Sequence, residues 1–187
     1  RTDLLHVRPH HLMARLFLSH TWTHAAVFAP HDVVRIASRG LRDAGWQVWF
    51  DEDNMERDID ASIRDGIDAS DVVVVFLTSA YISSVQRSHD SASAVRSNCY
   101  KEWCCACALG KTILPVLLEN VWEQAARSVL SLYIANAFRV ECVANHGQIA
   151  SSVTNVLTAR YNVHPAIPGR DASSRQRPAK VLERLKV

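Results

Sequence analysis

Between Asp71 and Thr78 the chain runs Val-Val-Val-Val-Phe-Leu with no polar residue. Six consecutive apolar, mostly β-branched residues fit a strand covered on both faces, which is the environment of a central strand in a parallel sheet. A strand of this kind needs helices on either side of it, so the rest of the chain is expected to supply alternating strands and helices.

The flanking sequence has that alternation. Arg15 to Ser19 reads as a short buried strand, followed by the polar, aromatic segment His20-Thr21-Trp22-Thr23-His24. Val33, Ile36, Ala37, Leu41 and Ala44 then recur at helical spacing, and Gly45 suits the stop. Trp46 to Phe50 has strand composition, with Trp46 and Trp49 expected in the core. Asp51 to Asp58 is an acidic loop, and Ile59, Ile63 and Ile67 mark a helix whose N-cap is Asp58. After the central strand, residues 85–96 have serine-rich loop composition and look like an insertion. Ser97 to Leu109 returns to helix and ends at Gly110, and Thr112 to Leu118 forms a fourth strand. A fifth strand around Phe138 to Val143 and a helix from about Gln148 to Arg160 close the pattern. Repeated βα units predict one α/β domain over residues 15–160, with five parallel strands and helices on both faces of the sheet. Residues 1–14 are an extension, and residues 161–187 a proline-containing basic tail with one short helix possible from Ala179.

Composition narrows the function classes. At 187 residues, 48% hydrophobic and 21% charged, the chain has the make-up of one globular domain with tails, and no apolar run reaches the length of a bilayer crossing. Arg1 to His11 lack the apolar stretch of a signal peptide, and the initial Arg suggests a piece of a longer protein. Five cysteines, three of them packed into Cys104, Cys105 and Cys107, form no even disulfide framework; a reducing cytoplasm is expected, with those three as small buried hydrophobes. From Asn162 onward six Lys/Arg face Asp171 and Glu183, a net of +4, which leaves the body near −2 of a total of +2. A body without clustered positive charge is a poor nucleic-acid binder, so none is expected as partner.

Several catalytic signatures are missing. There is no GxGxxG, and Gly40 to Gly45 has P-loop spacing but is followed by Trp46 instead of Lys. HExxH, GxSxG and paired CxxC spacings are likewise lacking. His20 and His24 have no convincing partners as metal ligands, so no metal is expected. In an open parallel sheet ligands bind at the carboxyl ends of the strands, which here present Ser19 to Trp22, Asp51 to Asn54 and Thr78 to Tyr81. Between Asn98 and Gly110 the only charges are Lys101 and Glu102. At 100° per residue Cys99, Trp103, Ala106 and Cys107 share a face, and Glu102 stands half-buried on its border. On phase alone, an acid pairing with a nearby cation is the plainer expectation for Glu102.

Five segments taken in order carry more information. They are Leu18-Ser19-His20, Val48-Trp49-Phe50-Asp51, Ser79-Ala80-Tyr81-Ile82-Ser83-Ser84, Cys99-Tyr100-Lys101-Glu102-Trp103, and Gly110-Lys111-Thr112-Ile113-Leu114-Pro115-Val116. Together they resemble a TIR (Toll/interleukin-receptor) domain of the NAD-cleaving branch, over about residues 15–160. The resemblance implies a flavodoxin-like doubly wound fold, self-association through TIR–TIR contacts, other TIR proteins as partners, and cleavage of the nicotinamide–ribose bond of NAD+ as substrate, with no cofactor. It implies that Glu102 is the catalytic glutamate, that Ser19, His20, Thr21 and Trp22 line the dinucleotide side, and that Asp51 stands at the entrance loop. Asn54, Tyr81 and Cys99 complete the implied substrate contacts. The loop after the first strand lacks the basic residues some relatives place there.

Other functions on this kind of fold are also open. A signalling adaptor that assembles through its acidic 51–58 segment would cleave nothing. A nucleoside deoxyribosyltransferase would use a glutamate nucleophile on free nucleosides. A phosphoacceptor receiver needs acids after the first strand, where Ser19-His20 stands instead.

Overall fold

A computed structural model describes residues 14–22, 28–54, 58–92 and 95–166 of the chain, with side chains 53 and 54 also left aside. Its strands are β1 (Arg15–Ser19), β2 (Gln47–Trp49), β3 (Val72–Leu77), β4 (Thr112–Leu117) and β5 (Val140–Glu141). They form one parallel sheet in the order β2-β1-β3-β4-β5, the flavodoxin-like arrangement. Helices α1 (Pro30–Asp43), α2 (Asp51–Asn54), α3 (Ile59–Ala69), α4 (Ser79–Asp90), α5 (Asn98–Ala108), α6 (Trp122–Ala126), α7 (Ser131–Ile134) and α8 (Ile149–Tyr161) connect and cover them.

All six residues of β3 are buried, and the strand's twofold side-chain period divides them between two cores. Val72, Val74 and Phe76 join Leu16, Leu18, Val34, Leu41, Val153 and Leu157 beneath α1 and α8. Val73, Val75 and Leu77 join Phe17, Ile63, Ile67, Tyr81, Trp103 and Ala106 beneath α3, α4 and α5. The apolar run is therefore two alternating faces laid end to end, and each needs its own helical layer.

Local chemistry starts the helices where the chain leaves the sheet. Pro30 occupies the first turn of α1, Asp58 accepts from Ala61 N at 3.1 Å, Thr78 Oγ1 accepts from Tyr81 N at 3.1 Å, and Ser97 Oγ accepts from Tyr100 N at 3.3 Å. Gly45 closes α1 with φ +90°, and a Cβ there would stand 2.7 Å from the Ala166 carbonyl, which seats residues 165 and 166 against the body. Gly66 lets α3 lie on the Trp49 indole, whose Nε1 would be 2.5 Å from an added Cβ.

The structure corrects the sequence reading between β3 and β4. Residues 85–90, expected as serine-rich loop, complete α4, which buries Tyr81, Ile82, Val85 and Ser88. Ser88 stands on the buried stripe where an apolar residue would have revealed the helical period, and its Oγ accepts from Ser97 N at 3.1 Å. Two helices, not one, thus connect these strands. Asp51 to Asn54, expected as loop, form the single turn α2; α6 and α7 occupy a stretch given no element; and β5 is shorter than residues 138–143. Ile36 and Ile59, placed on apolar faces by spacing, are exposed. Trp46 is buried as expected, and Trp49 is half-buried, stacked on Phe17 at 4.3 Å between ring centroids. Cys104 is exposed and Cys105 and Cys107 are partly so, while Cys99 and Cys142 are buried, all five as free thiols. The helix suggested from Ala179 lies outside the described residues, among which no helix is long and apolar enough to cross a membrane.

Candidate functional site

From β1 the chain crosses to β2 on one side of the sheet, while β3 lies on the other side, so the strand order reverses beside the carboxyl end of β1. That reversal opens the crevice where ligands bind in folds of this class. Ser19, the last residue of β1, sits there with 1% of its surface exposed.

Ser19 Oγ donates to Glu102 Oε2 at 2.6 Å and lies 2.9 Å from the Tyr81 hydroxyl. With the serine proton directed to the carboxyl group, the tyrosine is the donor, and the chain runs Tyr81 to Ser19 to Glu102. Three elements build it: β1 supplies Ser19, the Thr78-capped first turn of α4 supplies Tyr81, and α5 brings Glu102 in from below. Lys101, the neighbour of Glu102, points away and pairs with Asp60 of α3 at 2.6 Å.

Helical phase alone put Glu102 half-buried at a border; the structure buries it to 6% exposure. Burial pushes its pKa from 4.5 up to about 8, the nearby Asp51 charge adds to the rise, and the Ser19 hydrogen bond opposes it. At neutral pH Glu102 is thus mostly a neutral acid, and a cation brought next to it would recover the carboxylate. The same burial raises the Tyr81 hydroxyl well above its ordinary value and pushes the Cys99 thiol up to about 12. Cys99 stays a thiol and donates to the His20 carbonyl at 3.4 Å.

A second cluster adjoins the first. His20 is buried, and burial lowers its pKa from 6.5 to about 4, so the ring is neutral at neutral pH. Its Nε2 is 2.7 Å from His31 Nδ1 and 3.8 Å from Asp51 Oδ2. Trp22, 55% exposed, donates its Nε1–H to Asp51 Oδ2 at 2.6 Å and stacks on His31 with centroids 3.8 Å apart. Burial raises the pKa of Asp51, against the hydrogen bonds it accepts from Trp22 and from Glu52 N.

The structure therefore brings Ser19, Tyr81, Cys99 and Glu102 into one buried group, with His20, Thr21, Trp22 and Asp51 beside it. Asn54 ends α2, and its side chain lies outside the described residues, as does His24. His31 belongs to the second cluster and was missed by the sequence reading: it lies one residue into α1, eleven positions from His20, at a spacing that carries no signature. Two concavities, of about 230 Å³ lined by Asp60, Ile63, Arg64, Lys101 and Cys105, and of about 180 Å³ around Arg15, Gln47, Trp49 and Gly66, do not include Glu102.

Over residues 16–144 the chain matches the protein family described as TIR domain. No curated protein sequence matches it at a significant level. Among solved structures, a Clostridium botulinum CMP N-glycosidase is similar at a TM-score of 0.45 and 19% identity, with 74% of this chain and 96% of that chain covered. A likeness that distant has no bearing on substrate.

Proposed function

This chain belongs to the TIR domain family, and on that premise we propose that it is an NAD+ glycohydrolase that cleaves the nicotinamide–ribose bond, with Glu102 as its catalytic residue. The observation that carries the proposal is the buried carboxyl of Glu102 at the sheet's switch point, held by Ser19 Oγ at 2.6 Å.

The chemistry suits a lone carboxylate. When the bond from ribose C1′ to the pyridinium nitrogen breaks, its electron pair leaves with nicotinamide, which departs neutral and needs no general acid. Positive charge builds instead on the ribose, and a preorganised carboxylate stabilises it. Water then adds to C1′ and releases a proton, giving ADP-ribose; an adenine nitrogen taking the place of water gives a cyclic product. Glu102 is mostly neutral at neutral pH in the free protein, and the pyridinium cation of bound NAD+ favours its ionised form, so the negative charge grows where the reaction uses it.

Ser19 and Tyr81 orient Glu102, and Cys99 supports the His20 backbone. One face of the exposed Trp22 indole is stacked on His31, and its other face is suited to an adenine ring, a contact worth ~1 to 3 kcal/mol where base stacking on aromatics has been measured. His20, Thr21 and Asp51 form the floor that holds Trp22 in place, and Asn54 follows at the end of α2. With Glu102 only 6% exposed, a ribose reaches it after the surrounding residues shift, and self-association through TIR–TIR contacts supplies that shift. Five free thiols accord with a reducing, cytoplasmic setting.

Purified protein incubated with NAD+ is expected to release nicotinamide, and Glu102→Ala to lower the rate by at least about 100-fold, the scale of losing one preorganised electrostatic group. Equal turnover by wild type and variant sinks the assignment. The adaptor reading predicts no loss of NAD+ even at high protein concentration.

A further inference from the structure

We propose that His20, His31 and Asp51 form a binding site for one transition-metal ion of the Zn2+ class, through His20 Nε2, His31 Nδ1 and Asp51 Oδ2. This goes beyond the glycohydrolase proposal and does not rest on it, since its readout is metal binding.

The three residues come from three segments, the end of β1, the first turn of α1 and the start of α2, and their ligating atoms all lie within 4.8 Å of one another. Two imidazoles and a carboxylate are a donor set suited to Zn2+, which binds at about 2.0 to 2.2 Å to such atoms and so separates them by about 3.3 Å in a tetrahedron. His20 Nε2 lies 2.7 Å from His31 Nδ1 and 3.8 Å from Asp51 Oδ2, so these two separations bracket the tetrahedral value and each departs from it by about half an ångström.

The surrounding groups are placed as in a metal shell, in which ligating histidines donate their second nitrogen to a carbonyl or carboxylate. The Leu18 backbone hydrogen-bonds the His20 ring. With Nε2 facing His31, Nδ1 is the nitrogen left for Leu18, and Nε2 keeps its lone pair. Glu52 Oε1 is 3.3 Å from His31 Nε2. Asp51 is held by Trp22 Nε1 and by Glu52 N.

Proton bookkeeping distinguishes this site from an ordinary histidine pair. His31 must put its proton on Nδ1 to meet the His20 lone pair. A neutral His31 then turns a bare Nε2 toward the Glu52 carboxylate, and among the described residues this buried nitrogen makes no aligned hydrogen bond despite its 3.3 Å distance. A bound cation accepts both lone pairs and sends the His31 proton to Nε2, where Glu52 receives it.

The test titrates Zn2+ alone into the full 187-residue chain by calorimetry, comparing wild type with His31→Gln and Glu52→Gln, each checked for folding by circular dichroism. Wild type is expected to take up one equivalent more than His31→Gln, and Glu52→Gln to bind that equivalent about 10- to 100-fold more weakly, the usual loss when a carboxylate behind a ligating histidine is removed. Co2+ in the same site should give the visible spectrum of a tetrahedral ion without thiolate-to-cobalt charge transfer. Unchanged stoichiometry and affinity in a folded His31→Gln overturns the proposal. Should His31→Gln fail to fold, unchanged affinity in Glu52→Gln, or a thiolate band in the Co2+ spectrum, overturns it.

Discussion

Glu102 illustrates how burial alters one residue's chemistry without altering its identity. Its folded pKa of about 8 stands above the ordinary 4.5, so between those values the unfolded chain has released a proton that the folded chain keeps. Stability from this group therefore falls as pH rises from about 4.5 to 8, and below 4.5 the group contributes nothing. Glu102→Gln removes that burden, and its Tm should exceed that of wild type by a margin that widens up to about pH 8; thermal melts across pH measure it. His20 acts in the opposite direction: with its pKa lowered from 6.5 to about 4, stability is lost as pH falls through that interval, so the difference between wild type and variant is needed to isolate Glu102. Catalysis by an ionised Glu102 gives kcat/KM for NAD+ a rising limb near pH 8, because that ratio reports the free protein. Ser19→Ala removes the hydrogen bond that holds the pKa down, so the limb should move to higher pH and the rate at neutral pH should drop; a limb that stays in place counts against the Tyr81 to Ser19 to Glu102 chain.

At the scale of elements, the site depends on helix starts. Thr78 caps α4 through Tyr81 N, so Thr78→Ala should cost about 1 kcal/mol by denaturant titration and loosen the turn that carries the Tyr81 hydroxyl. Gly66→Ala drives a Cβ into the Trp49 indole at 2.5 Å and should cost about 1 to 3 kcal/mol by displacing Trp49 from Phe17. Strands, and helices with regular apolar spacing, were readable from residue type: β1, β3, β4, α1, α3 and α8 all lie where composition, spacing and the βα alternation placed them. The second half of α4 was not, because its stripe ends in Ser88 and its remaining positions are the polar Gln86, Arg87, His89 and Asp90, which read as loop. Arg96 stitches the end of that helix by donating to the Ser88 and Ser91 carbonyls, contacts that exist only once the chain has turned back on itself.

Across the whole molecule, the proposed activity couples assembly to chemistry. NAD+ consumption per mole of protein should rise steeply with protein concentration, and charge reversal at Asp53 and Glu56 should flatten that dependence while shifting the sedimentation profile toward monomer. A rate strictly proportional to concentration would separate catalysis from assembly. The parallel sheet was determined by the sequence itself, because an apolar run such as Val72 to Leu77 can be buried only between two helical layers and the intervening segments have the spacing to supply them. The order of motifs also pointed to Glu102. Only the tertiary structure decided that Glu102 is buried against Ser19, 83 positions away, that it consequently holds its proton to about pH 8, and that His31 meets His20 and Asp51. Desolvation and side-chain convergence depend on which segments pack together at a strand end, and no spacing along the chain records that.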